Sequence, residues 1–171
     1  MLSYMNLPLL CAAGAVVMDL NNGKVDNRWS ILCLAAGLCA HLIRDGPGGL
    51  GEALCGALLP FLLLFWLFTA GMLGAGDIKI LCAIGSFLDP EESLRCLAGS
   101  FLLGGVFALF SMVFYGTFRA RFRYFSDYLL HKRLFLKDTS YRRPGMERPE
   151  NLHFTLPILG SVFLLSIHIF P

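Results

Sequence analysis

The chain has 171 residues, 56% of them hydrophobic and only 15% charged, with a formal net charge of +2 and a mean hydropathy of +0.65. Such a balance excludes an ordinary soluble domain. Repeated apolar runs near twenty residues instead predict one all-α polytopic membrane domain over residues 1–171, with six transmembrane helices.

The first apolar run is Met5 to Met18, with Asp19 at its end. The stretch Met1 to Leu20 has no basic n-region and no small-residue cleavage site, and reads as a retained span. A polar connector from Leu20 to Arg28 is rich in turn formers. The second run, Trp29 to Ile43, opens on an aromatic suited to an interfacial anchor, and Arg44 to Glu52 reads as a Gly/Pro loop. The third run, Ala53 to Ala70, contains Pro60, which membrane helices tolerate when neighbours satisfy the freed carbonyl. Gly71-Met72-Leu73-Gly74-Ala75-Gly76-Asp77-Ile78-Lys79 then turns the chain into a fourth run ending at Leu88. That run is short for a roughly 30 Å hydrocarbon core, so Asp77 lies within the membrane profile or water reaches down to it.

Asp89-Pro90-Glu91-Glu92-Ser93 is an acidic loop in which Asp89 or Ser93 is placed to cap the next helix. The fifth run is Leu94 to Phe118 and the sixth is Leu152 to Phe170, interrupted by Pro157. Between them, residues 119–151 form the one long polar loop. Phe118, Phe122, Phe125 and Leu129 recur at helical spacing beside Arg119, Arg121, Arg123, Lys132 and Arg133. This pattern predicts an interfacial amphipathic helix between spans 5 and 6 that faces a bilayer with anionic headgroups, and not a nucleic-acid surface.

Lys and Arg set the orientation. Lys24, Arg28 and the basic residues of 119–151 lie on one side, while Arg44 and Arg95 stand among acidic residues on the other. The basic side is expected to be cytoplasmic, in a plasma or inner membrane, and both termini outside. Asp19 and Asp77 then fall at the same depth, at the cytoplasmic ends of their helices.

Carboxylates within a membrane profile are expensive, at least about 2.5–3.5 kcal/mol each, and usually functional. Two of them held close share a proton, so one can take a proton from water while the other polarises a carbonyl. That is the machinery for general acid–base hydrolysis of an amide. The six cysteines lie in or beside apolar runs without a Cys-x-x-Cys pair, and no His, Cys and carboxylate group at ligand spacing is present. The cysteines read as small hydrophobes, and no metal or cofactor is expected.

Gly74-Ala75-Gly76-Asp77 resembles the Gly-x-Gly-Asp motif of the type IV prepilin and preflagellin peptidases, a class of intramembrane aspartyl proteases. Ile78-Lys79 continues the resemblance to the family's Asp-Val-Lys. Asp19 resembles its first catalytic aspartate, and Val25-Asp26-Asn27 stands where members usually show Ile-Pro-Asn. Phe154-Thr155-Leu156-Pro157 is similar to the family's Pro-Phe-x-Pro stretch, with His153 in its first position. The resemblance implies that Asp19 and Asp77 are catalytic, that Gly74, Gly76, Lys79, Asn27 and Pro157 shape the site, and that the substrates are prepilin-like or preflagellin-like precursors cut at the cytoplasmic face. It implies a short, peptidase-only form.

Asp26 replaces the usual proline and is the alternative to Asp19. Asp77 is also placed to cap a helix, Lys79 either pairs with the aspartates or snorkels to the interface, and Pro157 reads as a kink. The alternative functions are a small ion- or solute-coupled transporter and a noncatalytic assembly factor of a secretion or pilus machine. The pattern leaves the oligomeric state open.

Overall fold

The structure, a computed structural model, describes residues 2–114 and 154–167. Within them lie five helices and no strand: α1 (Leu2–Asn22), α2 (Asn27–Thr69), α3 (Ala75–Gly85), α4 (Pro90–Phe114) and α5 (Thr155–Ser166). The described residues are therefore all helical, as the long apolar runs predict. The proposed interfacial helix, the loop 119–151, His153 and His168 lie outside the described residues.

The helix α2 merges the second and third apolar runs into 43 residues, broken in dihedral terms at Gly46 (φ 68°, ψ −156°). Only glycine adopts that conformation readily, and Pro47 follows it without an N–H to offer. The two halves of α2 run in opposite directions along α3. In the first half, Asn27 meets Lys79 and Leu34 meets Ser86. In the second, Gly56 meets Gly85 and the backbone of Phe61 meets Cys82. The Gly/Pro stretch thus reverses the chain as expected, but with helix on both sides of the Gly46 break and not as an open loop.

The short α3 lies at the centre. Ile78, Ile80, Leu81, Ala83, Ile84 and Gly85 are all buried, and at about 100° per residue these positions cover roughly 220° of the helix, leaving a strip with the exposed Ala75 and Lys79 and the half-buried Cys82. So wide an apolar face must be walled on several sides, and α1, α2 and α4 supply the walls. α5 closes the bundle against α1 and α4. There Ile158 and Val162 join the core, Phe154 meets Phe101 edge-on at 5.4 Å, and Ser161 Oγ donates to the Cys96 carbonyl at 2.7 Å.

Six spans are not supported. Among the described residues, two helices are long and apolar enough to cross a membrane, α2 and the Pro90–Ser111 part of α4. At 11 and 12 residues, α3 and α5 reach only about 17 and 18 Å, well under a hydrocarbon core of roughly 30 Å. Exposed apolar side chains nonetheless cover the outside: Trp66 and Phe114 are each 77% exposed, Ile43 86% and Leu62 69%. Trp29, expected as an interfacial anchor, turns inward instead. It packs on Gly14 and donates its Nε1–H to the Cys11 carbonyl at 3.2 Å.

At the α2–α3 crossing, a Cβ on Gly56 would run into the carbonyls of Gly85 and Leu88. Backbone cannot yield as a side chain can. Gly56→Val is expected to cost about 1–3 kcal/mol as overpacking. Gly48→Val, where a Cβ meets nothing within 4 Å, should cost far less; thermal unfolding of the two variants in detergent checks the contrast.

Candidate active site

The glycine stretch is a helix-to-helix turn. α2 ends in a Schellman pattern: the Met72 amide donates to the Leu67 carbonyl at 3.0 Å and the Gly71 amide to the Phe68 carbonyl at 2.9 Å, with Gly71 at φ 70°. This left-handed position favours glycine. Gly74 then takes the N-cap of α3 with extended dihedrals (φ −75°, ψ 144°), so the cap belongs to Gly74 and not to Asp77. Asp77 is the third residue of the helix and reaches back to accept a hydrogen bond from the Gly74 backbone N–H. Its carboxylate thus lies at the positive end of its own helix. A Cβ on Gly74 would press to 3.2 Å from Asp77 Oδ2, whereas one on Gly76 would meet nothing within 4 Å.

Asp19 sits in the last turn of α1, where its own helix dipole disfavours a negative charge. Another helix compensates. Thr155, the first residue of α5 and 2% exposed, donates its Oγ1–H to Asp19 Oδ2 at 2.7 Å. The positive end of α5 therefore faces the Asp19 carboxylate. Asp19 and Asp77, both half-buried, come close enough for their charges to repel. The two carboxylates expected at one depth are neighbours in the structure.

The remaining predicted residues fall into two groups. Asn27 and Lys79 meet each other: Lys79 Nζ donates to Asn27 Oδ1 at 2.8 Å. The ammonium thus ties α3 to the start of α2, a partner that sequence reasoning had not considered. Pro157 is buried in the first turn of α5. No intrahelical N–H bond is due there, so it starts the helix and does not kink it. Asp26 caps α2, its Oδ1 accepting from the Arg28 amide at 3.2 Å, and is exposed.

Sequence reasoning missed Thr155 as a partner of Asp19. Thr155 lies within the Phe154-Thr155-Leu156-Pro157 stretch, but a contact across 136 positions has no local signature. It also missed a second group at the other end of α3. One ligand atom each of His41, Glu52 and Asp89 lie within 4.8 Å of one another. The three stand on separate segments, so no ligand spacing announces them.

The described residues are thus all helical and bring two carboxylates together, each beside a helix N-terminus. The model of the type IV leader peptidase family matches residues 6–109, a span that includes both aspartates, Asn27 and the glycine stretch. The chain belongs to that family and is a protease of the type IV leader peptidase kind. No curated protein and no solved structure matches it.

A hydrogen bond to a charged carboxylate contributes about 1.5–3 kcal/mol, or about ten- to a hundredfold in rate if fully expressed in the transition state. Thr155→Val should lower cleavage by up to that factor and Thr155→Ser should restore most of it. Initial rates on a leader-bearing precursor, with thermal unfolding to show the fold intact, measure the effect.

Proposed function

We infer that the protein is an aspartic endopeptidase that removes the leader from prepilin-like or preflagellin-like precursors at the cytoplasmic face of the cell membrane, with Asp19 and Asp77 as its acid–base pair. The observation that carries this reading is the approach of the two carboxylates inside the segment that the leader-peptidase family matches. In this mechanism the pair carries one proton. The ionised member takes a proton from water, which attacks the scissile carbonyl, while the protonated member donates to the carbonyl oxygen. Collapse of the tetrahedral intermediate returns a proton to the leaving amine. The peptide's apolar helix stays beside the exposed apolar faces of the bundle and its basic leader remains in the cytoplasm.

Gly74 keeps the Asp77 carboxylate in place, and Gly76 leaves its side of the helix open for the peptide backbone. Lys79 and Asn27 fix the α2–α3 junction beneath the pair, and Pro157 starts α5 so that Thr155 reaches Asp19. Asp26, committed to its helix cap, takes no part. The polytopic arrangement, with Lys24 and Arg28 inside and the Gly46 reversal outside, rests on the asymmetry of basic residues between the connecting segments.

Asp19→Asn and Asp77→Asn are each expected to lower precursor cleavage by about 100- to 10,000-fold with the fold retained. The double variant should be no worse than either single one, because the pair acts as a unit. Purified enzyme on candidate precursors tests this; full activity in Asp19→Asn with loss in Asp26→Asn would transfer the role to Asp26.

A pair that works only when singly protonated gives a bell-shaped rate profile, whose two limits are macroscopic constants of the pair. Since the Lys79 ammonium bonds Asn27, Lys79→Met should leave the upper limb of that profile where it is. Initial rates across pH in detergent or liposomes read this directly.

In a cysteine-free background, a single cysteine at Lys24 should react with an impermeant thiol reagent only from the cytoplasm, and one at Gly48 only from outside. Labelling at Gly48 from the cytoplasm would overturn the orientation and the precursor geometry together.

A further inference from the structure

The group at the far end of α3 is built differently from an ordinary surface cluster. His41 is only 2% exposed. Its Nε2 lies 3.2 Å from the Phe87 carbonyl oxygen, which can only accept, so Nε2 carries the proton. When the ring is neutral, Nδ1 holds the lone pair. It is buried, has no hydrogen-bond partner among the described residues, and lies 3.8 Å from Asp45 Oδ2. Asp89 Oδ1 is likewise buried without a hydrogen-bond partner among the described residues, and its nearest cation is Arg44 Nη2 at 4.0 Å. Arg44 also hydrogen-bonds Asp45 through Nε. Three carboxylates, Asp45, Glu52 and Asp89, thus gather around one guanidinium and this imidazole, and outnumber the guanidinium by two.

We propose that His41, Glu52 and Asp89 form a binding site for a zinc-type divalent cation that clamps the reversal of α2 to the turn between α3 and α4. A histidine whose other ring N–H is held by a backbone carbonyl is in the tautomer and orientation that metal ligation requires. One imidazole nitrogen with two carboxylates suits zinc, whereas calcium and magnesium favour all-oxygen sets. The donor atoms stand within 4.8 Å of one another; bonds of about 2.0–2.2 Å draw them inward by about an ångström, which the exposed Glu52 side chain can supply by rotation. A divalent ion would match the charge excess and satisfy both orphaned atoms. The three ligands come from the first half of α2, the second half of α2 and the residue before α4, so one ion would join three segments. Gly85, the last residue of α3, lies about 12 Å along the helix from Asp77 at about 1.5 Å per residue. The site is therefore separate from the aspartate pair, and its role is to hold the bundle end.

The test uses the full-length protein in detergent, stripped with chelator, dialysed, and titrated with zinc chloride or magnesium chloride by calorimetry and thermal unfolding. One equivalent of zinc should bind saturably and raise the Tm, and magnesium should do neither. Glu52→Gln, at an exposed position that leaves the fold intact, and Asp89→Asn should each weaken zinc binding by about tenfold or more and abolish the Tm shift. Asp77→Asn should keep both. Failure of the wild type to bind zinc, which would leave His41 simply an imidazole beside Asp45, overturns the proposal. So does undiminished binding in Glu52→Gln and Asp89→Asn, loss of binding in Asp77→Asn, or an equal Tm shift with magnesium.

Discussion

The bundle is organised by the need to bury α3. An eleven-residue helix with Ile78, Ile80, Leu81, Ala83 and Ile84 all inside has only a narrow strip around Lys79 to give to solvent, and it is too short to reach across a bilayer by itself. It is stable only when other helices wall its wide apolar face. The fold-back of α2 at Gly46 supplies two walls from one continuous element, and α1 and α4 supply the others. Close approach at Gly56 and Gly85 lets the α2 and α3 backbones meet directly, and the Ser93 hydroxyl donates to the Gly56 carbonyl there at 2.8 Å.

Electrostatics then explains where the carboxylates can lie. Each is adjacent to a helix N-terminus, Asp77 to that of α3 and Asp19 to that of α5 through Thr155. Partial positive charge from unsatisfied N–H groups offsets part of the mutual repulsion and of the cost of half-burial. In this pair Asp77 is held by the Gly74 backbone amide and Asp19 by the Thr155 hydroxyl, while the Lys79 ammonium bonds Asn27.

The outer surface carries the complementary message. Trp66, Leu62, Phe110 and Leu102 stand outward from the long helices, an apolar coat of the kind that marks a surface covered by lipid or by a partner. At the far end of α3 the chemistry changes to His41, Asp45, Glu52 and Asp89 around Arg44. The two ends of one short helix thus carry two acidic groupings of different construction: a half-buried carboxylate pair backed by helix dipoles, and a mixed nitrogen and oxygen set around a buried imidazole.

The sequence by itself determined the helical class, the reversal in the Gly/Pro stretch and the helix-to-helix turn at Gly71 to Gly74. These rest on long apolar runs and the conformational reach of glycine and proline, which act along short stretches of chain. The family was legible in the motif Gly74-Ala75-Gly76-Asp77, and the pattern of runs and basic loops gave the expectation of two aspartates at one level. Tertiary structure decided what those residues touch. It gave Asp19 the Thr155 hydroxyl, Lys79 the Asn27 amide, Asp26 a helix cap and Trp29 an inward seat on α1. It also gathered His41, Glu52 and Asp89 from three segments. Such contacts depend on how helices rotate and cross when α3 is buried among them. That packing minimises exposed backbone and unfilled space over the whole bundle, and no short stretch of sequence records its result.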